Sequence, residues 1–336
     1  MARIQPKVSV PPEKFKSVFP NLKPTTYNDT NAARGVHNLR SIAWNPLGTW
    51  VATGCADKTL RVWNVDKPNV RQSTELKGHT ASIEKVAFNP VKELELCSVS
   101  IDGTVKFWDV KTKALVNEVK GLGEAFTLAW APDGEHLIVG NKVMRPCAQQ
   151  LRMAPTWLTI PTGRQFVRTL ADEKHARCFP SAGRTNQSGG ILLGWEENLR
   201  HYWGGPHSNP RFPKFRASFP LRLQTRGGGR IHAKCLATGG TDSLISLWDT
   251  DEWNCERTIT KMVGPVRTIS FSFDGNYIVG GSDEGNGLEF TYAETGEHLF
   301  TFKTASPCPV VAWAPNRYAL AYSDLGILRI ISAGAK

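Results

Sequence analysis

Residues Leu96 to Val110, LCSVSIDGTVKFWDV, contain two short apolar runs on either side of an Asp-Gly turn. Both runs are rich in β-branched and aromatic residues, and the second ends in Trp108-Asp109. Such runs around Asp-Gly predict a β-hairpin, because Gly103 can adopt the positive φ that the turn requires. Both runs are almost continuously apolar, so we expect both faces of the hairpin to be covered.

The same pattern returns twice, as TGCADKTLRVWNV at Thr53–Val65 and as TGGTDSLISLWDT at Thr238–Thr250. In each copy the turn aspartate precedes the tryptophan by six residues. These repeat-defining pairs are Asp57 with Trp63, Asp102 with Trp108, and Asp242 with Trp248. Weaker copies without the tryptophan are centred on Asp283 and Asp324. Repetition of one hairpin favours a single repeat domain.

A second motif precedes the hairpins and contains one aromatic residue: SIAWNP, KVAFNP, TLAWAP, TISFSF and VVAWAP. These aromatic residues are Trp44, Phe88, Trp130, Phe271 and Trp313. Successive members are 44, 42, 141 and 42 residues apart, and 141 is three periods of 47. Two further repeats are therefore expected between Trp130 and Phe271. Together with the five visible units they give seven.

A period of 41 to 47 residues with four short strands per unit, and Gly78-His79 upstream of Trp108-Asp109, resembles the WD-repeat β-propeller family. The resemblance covers residues 36–142 and 235–331. It implies an all-β, seven-bladed WD-repeat β-propeller whose blades 3 to 5 are disrupted by a non-repeat segment. It also implies a structural tetrad, in which buried polar groups satisfy one another, made of His79, Ser100 (or Ser98), Asp102 and Trp108.

Catalytic and metal chemistry are not predicted. A His, Ser and Asp set invites comparison with a catalytic triad, but its spacing offers neither an exposed nucleophile turn nor an oxyanion hole. Near His201 and His207 no Cys, Asp or Glu lies at metal-ligand spacing. We therefore expect a protein that is not an enzyme, with no metal, no cofactor and no small-molecule substrate.

The net charge of +11 is confined to one segment. Residues 143–234 hold 15 Lys or Arg against four acids, which leaves 26 bases and 26 acids in the rest of the chain. A propeller without net charge is not a general polyanion binder, so the high pI says nothing about the repeats themselves.

The domain organisation follows from these patterns. Residues 1–35 are predicted to be a tail with a closing strand, 36–142 blades 1 to 3 with blade 3 partial, and 235–336 blades 5 (partial) to 7. The last unit has no residues left for its outer strand. A segment before Val36 should therefore pair there and remove an open edge.

Residues 143–234 have two interpretations. One is a genuine basic insertion, whose Arg226–Arg230 segment (RGGGR) is weakly similar to Arg-Gly segments that contact RNA. The other is a gene-model or frame error that replaces about two repeats. The second is favoured, because an insertion would lengthen the chain whereas this segment occupies the space of the missing repeats. It predicts an irregular segment, with units three and five present as halves.

The seven cysteines include no CxxC pair, and their odd number argues against a disulfide framework. A reducing compartment, cytosol or nucleus, follows. No apolar run approaches a membrane span, and the N-terminus does not resemble a signal peptide, so no membrane contact is expected.

A more specific resemblance is carried by CLATGGTDSLISLWDTDEWNCERTITKMVGPVRTISFSFDG, which begins at Cys235, and by AFTLAWAPDGEHLIVGNK, which begins at Ala125. These phrases resemble the subunit 3 family of the THO complex, the nuclear assembly that couples transcription to mRNA export. The resemblance implies a nuclear, non-enzymatic scaffold of the THO/TREX complex, bound mainly to other subunits and to RNA at most indirectly.

Two alternatives remain open at this point: a WD-repeat adaptor of another nuclear or cytosolic complex, and a direct RNA binder that uses the basic segment. Glu84, Lys85 and Arg267 lie at the starts of innermost strands, where propeller loops meet partners, although a solvated face is the favoured account for any one of them.

Overall fold

The computed structural model describes residues 9–27, 38–66, 73–131, 134–145, 152–161, 168–169, 216–218, 235–249 and 254–333. Within these ranges the chain forms 24 strands, one short α-helix and one 3-10 turn. The strands are arranged in six antiparallel sheets of four. The predicted all-β architecture of repeated four-stranded units, a WD-repeat β-propeller, is confirmed.

The first three sheets follow the chain in order. Sheet 1 contains β2 (Leu39–Trp44), β3 (Trp50–Cys55), β4 (Leu60–Asn64) and β5 (Thr74–Leu76). Sheet 2 contains β6 (Ile83–Phe88), β7 (Glu95–Ser100), β8 (Val105–Asp109) and β9 (Ala114–Val119). Sheet 3 contains β10 (Glu124–Trp130), β11 (His136–Arg145), β12 (Arg152–Pro161) and β13 (Arg168–Thr169).

The remaining three sheets include the two ends of the chain. Sheet 4 contains β14 (Arg216–Ser218), β15 (Cys235–Gly239), β16 (Ile245–Asp249) and β17 (Cys255–Ile259). Sheet 5 contains β18 (Val266–Phe271), β19 (Tyr277–Ser282), β20 (Gly287–Tyr292) and β21 (His298–Lys303). Sheet 6 contains β22 (Val311–Trp313), β23 (Ala319–Asp324), β24 (Ile327–Ser332) and β1 (Thr25–Tyr27).

The hairpin at Leu96–Val110 has the predicted geometry. Strands β7 and β8 pair with Leu96 opposite Trp108, and Gly103 in the connecting turn has φ 76°. At the equivalent turn positions Lys58 and Ser243 adopt φ values of 71° and 62°. The left-handed conformation therefore belongs to the repeat, and glycine occupies it in only one of these three copies.

Apolar side chains join each sheet to the next. Between sheets 1 and 2, for example, Leu60 and Val62 pack against Ile83 and Trp108, all nearly inaccessible to solvent. Equivalent clusters lie between sheets 2 and 3, 4 and 5, 5 and 6, and 6 and 1. Each buried Leu, Val or Ile in them contributes about 1.5–3 kcal/mol relative to an exposed one. The contacts thus run in the order 4, 5, 6, 1, 2, 3.

The last sheet is completed by the start of the chain. Strand β1 pairs antiparallel with β24, with Thr26 opposite Arg329. Tyr27 is buried and its ring meets that of Trp63 edge to face, at 6.0 Å between centroids. The prediction that a segment before Val36 supplies the outer strand is confirmed.

The expectation that units three and five would be halves was wrong. Both sheets have four strands, because β12 and β13 complete sheet 3 and β14 completes sheet 4. These strands come from residues 143–234, whose lack of alternation gave no strand signal. The inner strands β10 and β14 begin at Glu124 and Arg216, 92 residues apart, which is two periods. Residues 170–215 lie outside the described ranges, and His201 and His207 are among them.

The segment before β1 is not simply a tail. Helix α1 (Pro12–Val18) and a 3-10 turn (Phe19–Asn21) precede β1, and Phe15 and Phe19 are 2% and 1% exposed. Prolines at the first helical positions supply the φ that a helix start needs. In the part of the chain that the structure covers, no helix is long and apolar enough to cross a membrane.

Candidate functional site

The tetrad of sheet 2 forms one hydrogen-bonded chain from loop to core. His79 Nδ1 lies 3.0 Å from Asp102 Oδ2, and His79 Nε2 lies 2.7 Å from Ser98 Oγ. Trp108 Nε1 donates to the same hydroxyl at 2.8 Å. A neutral His79 that carries its proton on Nδ1 satisfies every group: it donates to Asp102 and accepts from Ser98.

Ser100 does not occupy the place between histidine and tryptophan. Its hydroxyl donates to Ala81 O at 3.1 Å and accepts from the N–H of Asp102 at 3.2 Å. Ser98 and Ser100 lie on the same face of β7, because side chains of a strand alternate with a period of two. Ser98 is the one that the Trp108 indole reaches, and Ser100 instead anchors the loop at Ala81.

The electrostatics of the tetrad fix its protonation states. Burial lowers the pKa of His79 below its usual value, although Asp102 works against this effect. Burial alone would raise the pKa of Asp102, but hydrogen bonds from Thr104, from the N–H of Thr80 and from His79 lower it to about 2. At neutral pH the pair is therefore a carboxylate hydrogen-bonded to a neutral imidazole.

The indole-to-hydroxyl bond recurs in the other strong copies. Trp63 Nε1 donates to Thr53 Oγ1 at 3.3 Å, and Trp248 Nε1 donates to Thr238 Oγ1 at 2.8 Å. In all three copies the hydroxyl lies four residues before the turn aspartate. The network is thus a property of the repeat.

The turn aspartates share a second interaction. Asp57, Asp102 and Asp242 each accept from the backbone N–H two residues later, at 3.1, 3.0 and 3.2 Å. This is the Asx turn that favours aspartate over other residues at a turn. Asp102 also holds the loop before its own sheet, by accepting the N–H of Thr80 at 3.0 Å.

The two weaker copies use their acids differently. In sheet 5, Glu284 takes the place of Asp102, since its N–H donates to Ser282 Oγ just as that of Asp102 donates to Ser100. The predicted Asp283 lies one residue earlier and forms an ion pair with Arg267. Gly285 after Glu284 has φ 76°, as Gly103 after Asp102 does, so the equivalent acid in this sheet is a glutamate and a search for aspartate missed it.

Asp324 of sheet 6 is a loop anchor. It is 0% exposed and accepts from the N–H and the hydroxyl of Ser306, both at 2.9 Å. Arg329 Nη1 lies 3.1 Å from its other oxygen. Its role resembles that of Asp102: a carboxylate in one hairpin turn fixes the loop that leads into the same sheet.

Four inner strands begin with a β-bulge at the same position, and it is here that the predicted partner residues lie. The bulged residues are Arg40, Glu84, Phe126 and Arg267. Arg40 is exposed, Arg267 is held by Asp283, and Glu84 is buried and accepts from Ser82 Oγ at 2.6 Å. Lys85 follows the bulge and is half-buried. Bulges re-aim side chains at the rims of barrels and sheets, so we name these four positions the bulge rim.

The polar groups of the tetrad are occupied by structural bonds. Ser98 is 0% exposed, so its hydroxyl cannot meet a substrate. Burial raises the pKa of the Cys55 and Cys308 thiols to about 12, which leaves them protonated at neutral pH. No group of three metal-ligating side chains occurs in the described ranges.

Two features were not predicted from the sequence. The indoles of Trp44 and Trp130 donate to Ala312 O and Ala87 O, and so tie each inner strand to that of the preceding sheet. The cleft between sheets 5 and 6 that holds Phe15 and Phe19 was also missed. The signal for it was present, since two phenylalanines four residues apart after Pro11-Pro12 indicate one apolar face of a short helix.

Comparison with known proteins supports the fold. The family model described as "WD domain, G-beta repeat" matches residues 33–64, 70–109 and 253–286. The first two matches span the hairpins of sheets 1 and 2, and the third spans the start of sheet 5.

Among curated proteins the chain is similar to THO complex subunit 3 of Arabidopsis thaliana, with 29% identity over 87% of this chain and 91% of that protein. It is 28% identical to WD repeat-containing protein AAC3 of Dictyostelium discoideum, over 70% of this chain but 51% of that protein. It is 23% identical to nuclear distribution protein PAC1 of Arthroderma otae, over 83% of this chain and 64% of that protein. The resemblance to THO complex subunit 3 that the motifs indicated is confirmed.

Proposed function

We propose that this WD-repeat protein is a non-enzymatic scaffold subunit of a THO-type complex in the nucleus, where it serves mRNA processing and export. The observation that carries the proposal is the similarity to THO complex subunit 3, which extends over 91% of that protein. The matches to AAC3 and PAC1 cover smaller shares of those proteins, 51% and 64%. These matches are consistent with a propeller that AAC3 and PAC1 share with this chain, together with other domains that lie outside it.

The geometry supports binding rather than chemistry. The polar constellation that could imitate a catalytic triad is closed from solvent by Trp108 and its own sheet. Its four members hold the loop that contains His79 to the hairpin of β7 and β8. Every hydrogen bond among them lies within sheet 2 or joins sheet 2 to this loop. The repetitive surface of the sheets is therefore the part of the molecule that is available to bind a partner.

The bulge rim is the part of that surface that we assign to partner contact. Arg40 and Arg267 occupy equivalent places on sheets 1 and 5, so two guanidinium groups lie on the same rim. Arginine is enriched at protein interfaces, where its planar group binds carboxylates by two hydrogen bonds. The proposed partners are other THO/TREX subunits, and an acidic segment of one of them suits this rim.

Affinity purification of the tagged chain from the nuclei of its own cells, followed by mass spectrometry, tests the proposal. We expect enrichment of the other THO subunits, and at least a fivefold loss of that enrichment in Arg40→Glu. Arg257→Glu is the matched control, since Arg257 lies on the outer strand β17 and its side chain is 38% exposed. Recovery of a different complex, without THO subunits, would instead support an adaptor role elsewhere.

A second candidate, direct RNA binding, is favoured by one observation: the whole net charge lies within residues 143–234. Deleting this segment is not a clean test, because β12, β13 and β14 lie inside it. The double variant Arg226→Gln and Arg230→Gln removes charge without shortening the chain. Each lost phosphate contact should lower the slope of log affinity against log salt by about 0.7 to 0.9. Unchanged RNA affinity and slope would show that these arginines make no phosphate contact.

A further inference from the structure

The N-terminal segment is held in a cleft between sheets 5 and 6, called here the aromatic cleft. Its walls are Tyr277 and Phe290 of sheet 5, and Trp313 and Tyr318 of sheet 6. Phe15 stacks on Tyr277 with 3.8 Å between centroids and an interplanar angle of 12°. Phe19 lies 5.2 Å from Phe290 and 5.5 Å from Trp313. Two rings of the segment thus fill one cleft formed by two sheets.

The mouth of the cleft grips the backbone of the segment. Tyr277 Oη donates to Val10 O at 2.6 Å, while the N–H of Val10 donates to Tyr318 Oη at 3.1 Å. The hydroxyl of Ser9 donates to Asp274 Oδ2 at 2.9 Å and accepts from Asn276 Nδ2 at 2.7 Å. A residue whose N–H and C=O are both bound by side chains is recognised as extended peptide, independently of its own side chain.

Trp313, which lines the cleft, does not make the hydrogen bond that its equivalents in other repeats make. Trp44 and Trp130 bond the preceding inner strand through their indoles, whereas the N–H of the equivalent Trp313 is buried without an acceptor among the described residues. Its ring lies against Phe15 and Phe19 instead. A buried N–H without a partner destabilises the fold. Trp313 thus lacks the hydrogen bond that its equivalents make to the preceding inner strand, and its ring packs on the N-terminal segment instead.

The segment depends on the cleft for its own order. Helix α1 has seven residues, and helices shorter than about 12 residues are marginal in water. The described contacts of Phe15 and Phe19, apart from the stacking of one on the other, are with sheets 5 and 6. Folding of the segment and its binding are therefore one event, as in a bound peptide.

We propose that the aromatic cleft is a peptide-binding site, occupied in this chain by its own residues 9–22. The peptide that it recognises has a serine and an extended residue at its start, followed by two aromatic side chains four positions apart in a short helix. The same site would accept an equivalent segment from another protein when its own segment is displaced. This mode is a helix in a groove, with the groove made by the junction of two sheets.

The test uses the full chain with Phe15→Ala and Phe19→Ala, and a fluorescent peptide of residues 9–22, SVPPEKFKSVFPNL. We expect saturable binding to the variant by fluorescence anisotropy. Binding to the unaltered chain should be at least tenfold weaker, because its own segment competes at an effective concentration in the millimolar range. A peptide with Val18→Ala should bind equally well, since Val18 is 44% exposed.

A peptide that carries the two alanines should not bind. Absence of saturable binding to a folded variant would overturn the proposal, as would equal binding to the variant and to the unaltered chain. If the double variant does not fold, Tyr277→Phe in the unaltered chain replaces it, because this change removes one hydrogen bond to Val10 and keeps the stacked ring. Amide exchange in residues 13–22 should then rise about three- to tenfold, while exchange in β7 stays unchanged. Unchanged exchange in residues 13–22 would also overturn the proposal.

Discussion

Trp108 is the residue on which the second repeat most depends. It is 1% exposed, it belongs to the cluster between sheets 1 and 2, and its indole satisfies Ser98. Trp108→Ala should cost about 3–5 kcal/mol in the free energy of unfolding. Trp108→Phe keeps a buried ring and loses the hydrogen bond, and should cost about 1–3 kcal/mol. Denaturant melts check both values, and an alanine variant as stable as the parent would show that the tetrad is not structural.

The tetrad also predicts a loss of stability in acid. The pKa of His79 is lowered in the folded chain, so protons bind the unfolded chain more readily. Its contribution is therefore fully present above the unfolded pKa of 6.5 and is lost as the pH falls through the folded value. Asp102, with its pKa lowered from 3.8 to about 2, adds a second loss between those two values. His79→Gln should flatten the first loss in melts between pH 7 and 5; an unchanged profile would contradict the buried neutral state.

At this scale the sequence identified three of the four tetrad members, but it placed Ser100 ahead of Ser98 as the hydroxyl, which was wrong. Alternation could not decide between Ser98 and Ser100, because both lie on the same face of β7. Comparison of the copies could have done so. Thr53 and Thr238 stand where Ser98 does, four residues before the aspartate, whereas Cys55 and Gly240 stand where Ser100 does. Only the first position carries a hydroxyl in every copy.

Within a hairpin, the turn residue after the aspartate decides whether the two strands can meet. Gly103 has φ 76°, and a Cβ added there would lie 3.0 Å from Gly123 O. Gly103→Ala should therefore cost about 1–2 kcal/mol, from backbone strain and from this close approach. Lys58→Ala is the matched control: the equivalent residue already has φ 71° without being glycine, so the change should cost less than about 0.5 kcal/mol. Urea melts compare them, and equal losses would contradict the argument.

Strand assignment from the sequence succeeded where the apolar pattern was strong. It failed where a segment without such a pattern becomes a strand by pairing with a neighbouring strand. Strands β12, β13 and β14 have no alternation, yet β12 pairs with β11, β13 with β12, and β14 with β15. Helix α1 was missed because Phe15 and Phe19 were its one helical signal, and the prolines on either side of them favoured the interpretation as a tail. Its order comes from the aromatic cleft, which is built by residues more than 250 positions away along the chain.

Over the whole molecule, residues 143–234 keep their two interpretations. The pairing of β12 with β11 and of β14 with β15 gives the ends of this segment a place in sheets 3 and 4. Its replacement of two native repeats stays a prediction. Peptide mapping of the protein from its own cells by mass spectrometry decides it: peptides with the printed sequence between Arg145 and Lys234 support a genuine segment. WD-like peptides in their place would support the gene-model error.

In the whole molecule, the N-terminal strand β1 completes sheet 6 and so joins the two ends of the chain. Closure rests on the pairing of β1 with β24 and on Tyr27 against Trp63. Further ties between sheets 1 and 6 are the bonds from Trp44 to Ala312 O and from Arg317 to Gly48 O. From the sequence, closure was predictable because the last unit lacked a strand, but the register was not.

Hydrogen–deuterium exchange measured by mass spectrometry tests this claim most directly. In the unaltered chain, amides of Thr25–Tyr27 should be protected for as long as those of Ile327–Ser332, because the two strands open together. Tyr27→Ala should speed exchange in both strands and leave Val105–Asp109 of sheet 2 unchanged. Exchange of Thr25–Tyr27 at the rate of an unstructured peptide, while Ile327–Ser332 stays protected, would contradict closure by this strand.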